Sequence, residues 1–150
     1  DHTKVWQKPV GCINCWANVT ICQSIKKKIA KGGIMDTEQV VTKYHTAWTS
    51  GDMQAARLYL TDDLDFQGSI DTFRRADDFV IALTMFQKML RGVNLIQSFF
   101  SENGAALLYD CDTMSPAGVL RTAEFFTVAD SKIKSIRLVF DATELRKLMG

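Results

Sequence analysis

No run of apolar residues in this chain approaches the ~20 that a membrane-spanning helix requires. The first residues are too often interrupted by polar ones to read as a secretory signal. Charge of one sign is lacking as well: the formal net charge is +1 over 150 residues, so no global field recruits nucleic acid or an anionic membrane. There is no internal repeat, low-complexity tract, glycine-rich phosphate loop or nucleophile elbow. No metal pair is visible either, so neither metal nor cofactor is expected.

Cysteine is scarce and unevenly placed. Cys12, Cys15 and Cys22 fall in the first 34 residues, and Cys111 stands alone in the body. Cys12-Ile-Asn-Cys15 has the spacing of half a zinc site, but His2 and His45 do not follow at finger spacing. A redox pair would need to open a helix after a strand, and that context is missing. Cys111 therefore reads as a small buried apolar residue, and the compartment as reducing, hence cytoplasmic.

What is present suits one ordinary domain, with 47% apolar and 23% charged residues. Residues 1–34 have no sustained period, although Thr20–Ala30 could form a short basic helix. Gly32-Gly33 breaks the chain just before Met35. Lys-Gly-Gly can be encoded by a purine-rich ribosome-binding sequence, so translation from Met35 is expected, with 1–34 a non-native leader. The alternative is a genuine N-terminal extension in which Lys26–Lys28 is a solvated charge run.

From Met35 onward the pattern is legible. Asp36 or Thr37 caps a helix with Val40, Val41, Tyr44, Ala47 and Trp48 on one face. Ser50-Gly51-Asp52 stops it and starts a second helix over Met53–Leu60. Leu64 and Phe66 alternate in a short strand ending at Gly68, and a third helix follows from Asp77 to about Leu90. Four strands are predicted next, over Val93–Ser101, Ala105–Asp112, Val119–Val128 and Ile133–Asp141, joined by hairpin-length separators. A short closing helix ends the chain. Helices first and a strand meander afterwards imply an α+β fold in which an antiparallel sheet wraps over helices.

Glu124 is the residue that asks for a function. It lies in "TAEFFTV", and a turn at Ser115-Pro116 would pair it with Leu107, Thr122 with Tyr109 and Leu120 with Cys111. Asp110 and Arg121 then pair on the opposite, solvated face; a slip by one residue would exchange the two faces. A carboxylate in apolar company is costly to ionise, so its pKa should rise, as an acid/base or substrate-orienting group requires. A structural Glu bonded to a backbone amide or to Tyr44 is the competing reading. His45, about 100° round the helix from Tyr44, reads as a partly exposed helix histidine. Trp48, Phe66, Phe79 and Phe86 read as core or pocket wall, and Asp62-Asp63 as a solvated turn. Asp71 is a secondary site candidate at the pocket mouth, with surface capping the plainer role.

"VVTKYHTAWTSGDMQAARLYLTDDLDFQG" followed by "AEFFTVADSKIKSIRLVFDA" resembles the SnoaL-like branch of the nuclear transport factor 2-like superfamily, over about Met35 to Ala142. The resemblance implies a cone-shaped, curved antiparallel sheet wrapped around three helices, a cystatin-like α+β barrel with an apolar pocket at one end. Homodimers through the outer sheet face are usual in such proteins. The superfamily holds ketosteroid isomerases, polyketide cyclases, dehydratases and an epoxide hydrolase beside many members without catalysis, so reaction transfers poorly. By the isomerase pattern, Tyr44 and Glu124 match the catalytic tyrosine and strand acid, and Tyr109, Thr122, Ile136, Leu138 and Phe140 match pocket residues. Its general base falls at Gly68 and is absent; Asp65, Gln67 and Asp71 could serve only if the strand end were rearranged. Polyketide cyclases of the family use a single pocket carboxylate, which Glu124 could supply. The epoxide hydrolase set of Asp, Arg and Asp is not found, because Asp110 and Arg121 face outward.

The expectation is therefore a pocket protein binding a small apolar organic ligand through Glu124 and Tyr44. Trp48, Phe66, Tyr109, Ile136, Leu138 and Phe140 would form its walls, enclosing a few hundred cubic ångströms. Any catalysis would be of isomerase, cyclase or dehydratase type. The alternative is a non-catalytic dimeric interaction module on the same fold.

Overall fold

The computed structural model describes residues 34–150. The leader, the helix expected over Thr20–Ala30 and the Cys12–Cys15–Cys22 group lie outside the described residues.

Helix α1 spans Thr37–Thr49. Its start is a reciprocal capping box: the Gln39 amide donates to Asp36 Oδ1 at 2.9 Å, and the Asp36 amide donates to Gln39 Oε1 at 3.1 Å. Gly51, at φ 86°, lets the chain leave α1 through the left-handed region. Asp52 then caps α2, Met53–Leu58, by accepting from the Ala55 amide. Leu60 fits the end of that helical stripe. Instead it opens strand β1, Leu60–Gln67, and pairs with Ile133.

A two-residue strand β2, Thr72–Phe73, was not anticipated; helix α3 follows over Ala76–Gln87. Leu90 belongs not to α3 but to strand β3, Leu90–Phe100, where it pairs with Thr113. Gly92 and Val93 beyond it favour an extended chain over a further helical turn. Strands β4 (Gly104–Thr113), β5 (Val119–Ala129) and β6 (Lys132–Phe140) complete the meander, and helix α4 spans Thr143–Met149. Asp130 and Ser131 both have positive φ, 53° and 62°, as a two-residue type I′ hairpin turn demands.

The six strands form one sheet in the order β2-β1-β6-β5-β4-β3. The sheet is mixed: β1 runs parallel to β6, because α3 and the meander separate them in the chain. All other pairs are antiparallel. Helix α1 touches β3, β4, β5 and β6 at once. A flat sheet could not present four strands to one helix, about 10 Å across; the sheet wraps it. Bulges at Leu95–Gln97 in β3 and between Ile133 and Ser135 in β6 give the extra bend.

The register is the one that the hairpin turn implied. Glu124 faces Leu107, Thr122 faces Tyr109, Leu120 faces Cys111 and Asp110 faces Arg121. Along β5 burial alternates without a break, with Leu120, Thr122, Glu124, Phe126 and Val128 inside. Outside, Arg121 grips Asp110 with two hydrogen bonds of 2.8 and 2.9 Å.

Candidate functional site

Because the strands are in register, the inner face is built as stacked rows. Cys111 and Leu120 form one row, and Tyr109, Thr122 and Phe140 the next. Below them lie Leu107, Glu124 and Leu138, and below those Ala105, Phe126 and Ile136. A cavity of about 140 Å³ is lined by members of the first three rows; of the fourth, only Phe66, which pairs with Ile136 from β1, reaches it. Glu124 therefore sits at the level of the cavity floor.

That depth decides which expected residues belong to the site. Trp48, Phe66, Asp71, Tyr109, Thr122, Glu124, Leu138 and Phe140 all line the cavity. Tyr44 and Ile136 do not. Both are wholly buried, and Tyr44 packs edge-on against Phe126, one row beneath the floor. The helical period that placed Tyr44 and Trp48 on one face is correct, but they stand one turn apart and only the upper one reaches the hollow. The cavity is also smaller than the few hundred cubic ångströms expected. Phe73, Phe79, Phe86 and Leu145 fill part of the space from α3, β2 and α4.

Glu124 is 2% exposed. Among the described residues its hydrogen-bond partner is Tyr109, whose Oη donates to Oε1 at 3.0 Å. Burial pushes its pKa up from 4.5 to about 8, against the opposing pull of the Tyr109 hydrogen bond. At neutral pH it is mainly a carboxylic acid, with a proton to give. Both tyrosines are held well above the ordinary phenol value, first by burial and then by the Glu124 charge. Both stay neutral phenols, and of the two it is Tyr109 that holds Glu124. The Cys111 thiol, in the cavity wall, is pushed up to about 12 by burial and is no nucleophile.

A side chain in the isomerase's general-base position would be tightly crowded. A Cβ on Gly68 would lie 3.0 Å from the Phe66 ring and 3.3 Å from the Asp71 carbonyl. Asp65 is committed elsewhere: Arg137 and Arg74 bind its two oxygens at 2.8 and 2.7 Å, and its carboxyl is held below the usual range. Asp71 reaches the cavity rim and is exposed.

His45 differs most from expectation. It is 9% exposed, wedged with ring centroids 5.1 Å from Tyr109 and 5.6 Å from Trp48. Burial lowers its pKa to about 4, so it is neutral. The signal was available: Val41, Tyr44, His45 and Trp48 follow i, i+3, i+4, i+7 spacing, the wide apolar stripe of a helix enclosed on several sides.

No family model matches the chain, and no curated protein does. Solved structures do. A protein from Kribbella flavida superposes with a TM-score of 0.69 at 27% identity, covering 74% of this chain and 91% of its own. A nuclear transport factor 2-like protein of unknown function from Cytophaga hutchinsonii gives 0.66 at 17% identity, covering 77% and 98%. The chain has the nuclear transport factor 2-like fold. A candidate polyketide cyclase from Sinorhizobium meliloti shares this fold, with a TM-score of 0.62 at 14% identity over 67% and 94% of the two chains. Within this fold Glu124 lies at the bottom of the cavity that sheet and helices leave open.

Proposed function

We propose that this chain binds a small apolar organic molecule through the Glu124 acid, and that it works as a homodimer joined by the outer face of its sheet. The observation that carries the first part is a buried carboxyl at the floor of a largely apolar cavity, where burial pushes its pKa up. Structural carboxylates are held by cations or backbone donors; among the described residues Glu124 has neither and hydrogen-bonds to the Tyr109 phenol. A neutral acid donates to a ligand oxygen. With a pKa near the working pH it can also take the proton back, which suits isomerase, cyclase or dehydratase chemistry at an activated carbonyl. The cyclase resemblance of one structural neighbour agrees in fold alone.

Affinity for apolar carbonyl compounds is therefore expected to be level up to about pH 7 and to fall about tenfold per unit above pH 8, as Glu124 loses its proton. Calorimetric titration from pH 6 to 10 measures it. An affinity constant across that range would remove Glu124 from recognition.

The dimer rests on the sheet exterior. Phe99, Phe125 and Val139 are 61%, 50% and 57% exposed. They form two adjacent cross-strand rows with Ala106, Leu108 and Ala123, bordered by Arg137 and by the Asp110–Arg121 pair. In a twofold interface each residue counts twice. Phe125→Lys should then weaken association by about thirtyfold or more, seen as a halved mass in light scattering at micromolar concentration. An unchanged mass would exclude this face.

A further inference from the structure

An unpaired donor in the cavity wall points to the kind of ligand the site takes. Three buried polar atoms have no hydrogen-bond partner among the described residues: Tyr44 Oη, His45 Nδ1 and Trp48 Nε1. Of the three residues only Trp48 lines the cavity. Its ring stands 6.0 Å from that of Tyr109, the phenol that holds Glu124. An indole N–H can only donate, and the cavity wall beside it is formed largely by phenylalanine and leucine. A buried donor left unpaired is costly, and native proteins keep few. The missing acceptor is one that a molecule bound beside Trp48 can supply.

We propose that Trp48 is the specificity-determining donor of the pocket, and that the ligand is a single-ring compound whose carbonyl oxygen accepts from both Trp48 Nε1–H and the Glu124 acid. This rests on the small-molecule reading above and narrows it. A carbonyl oxygen has two lone pairs and takes two donors at once; an ammonium or amide N–H would meet two further donors and be rejected. Volume sets the size. About 140 Å³ matches the dry cavity of ~150 Å³ that holds one benzene, and lies well under the ~300–1,000 Å³ of drug-sized sites. Chemistry agrees: the Phe66 and Phe79 rings, stacked on each other at 4.5 Å, both line the cavity and offer aromatic contacts to a ring.

The test uses the full chain at pH 6.5 with three probes. Acetophenone carries the ring and the oxygen, α-methylstyrene replaces that oxygen by a methylene, and 2-acetylnaphthalene adds a second ring. Titration is followed by the indole ¹H–¹⁵N resonances, with Trp48 assigned by elimination through the losses in Trp6→Phe and Trp16→Phe. Acetophenone should bind about three- to tenfold tighter than α-methylstyrene, and move the Trp48 N–H resonance downfield where α-methylstyrene does not. Trp48→Phe should remove most of that preference, and the naphthyl ketone should bind more weakly than acetophenone. A ketone preference that survives Trp48→Phe but vanishes in Glu124→Gln would overturn the role of Trp48 and leave the reading of Glu124 intact. Equal binding of ketone and hydrocarbon, or no binding of either, would overturn both. Tighter binding of the naphthyl ketone would overturn the single-ring class. Should Trp48→Phe fail to fold, the wild-type indole shift decides alone: a resonance unmoved by bound acetophenone ends the proposal.

Discussion

Replacing Glu124 by glutamine is expected to make the protein more stable at pH 9 and less stable at pH 5, so that the two stability curves cross. The wild-type carboxyl titrates near 4.5 in an unfolded chain and at about 8 in the folded one. Between those values the folded state keeps a proton that the unfolded state has released, so stability falls as pH rises from about 4.5 to 8 and is level above. A difference of about 3.5 pH units corresponds to about 5 kcal/mol, order of magnitude. Glutamine cannot titrate and escapes this loss. It can still accept from Tyr109, but its amide N–H groups lack the single-proton fit of the acid and cost about 1–3 kcal/mol at any pH. The expected net effect is therefore a gain of about 2–4 kcal/mol at pH 9 and a loss of about 1–2 kcal/mol at pH 5. His45 shapes the same curve from the other side. Its folded pKa of about 4 lies below its ordinary 6.5, so it lowers stability as pH falls through that window. From 4.5 to 6.5 the two slopes oppose and nearly cancel, giving the wild type a flat region which Glu124→Gln turns into a rise with pH. Urea denaturation at pH 5, 7 and 9 measures all of this. Parallel curves for the two proteins would mean that Glu124 is ionised and solvated.

The inward orientation of Glu124 could be read from the chain because three independent patterns agreed. The alternation along β5, the turn at Ser115-Pro116 and the outward Asp110–Arg121 pair all specify one register. Depth along the cone has no such signature. Tyr44 and Trp48 are equivalent by helical period, as Leu138 and Ile136 are by strand alternation, yet the floor of the cavity passes between the members of each pair. The bulge in β6 compounds this. It puts Ile133 and Ile136 on the same inner face although they differ in parity. Boundaries failed where one apolar residue suited two periods: Leu60 and Leu90 each fit the end of a helical stripe and serve instead as first residues of strands. The parallel β1–β6 pair is a product of closure by remote segments, and no local spacing encodes it. Volume is the least legible quantity of all, since it is the small difference between a sheet's curvature and the side chains that fill it.

That difference can be tested directly by filling it. Ala82 lines the cavity from α3, on the same face as Phe79, Leu83 and Phe86 at i−3, i+1 and i+4. Ala82→Phe should place a ring in the hollow, raise stability and abolish acetophenone binding. A dry void costs about 24 cal/mol per Å³, so 140 Å³ sets a ceiling of about 3 kcal/mol. The space opens toward the exposed Asp71 rim, which lowers the real cost, and one ring does not fill it. A gain of about 1–2 kcal/mol in urea denaturation is the expected outcome. The two effects have to appear together, because both follow from one hollow. Without it a phenylalanine at this position overpacks α3 against the sheet and costs about 1–3 kcal/mol. A destabilised Ala82→Phe that still binds acetophenone would place the ligand elsewhere and leave Glu124 sealed in a solid core.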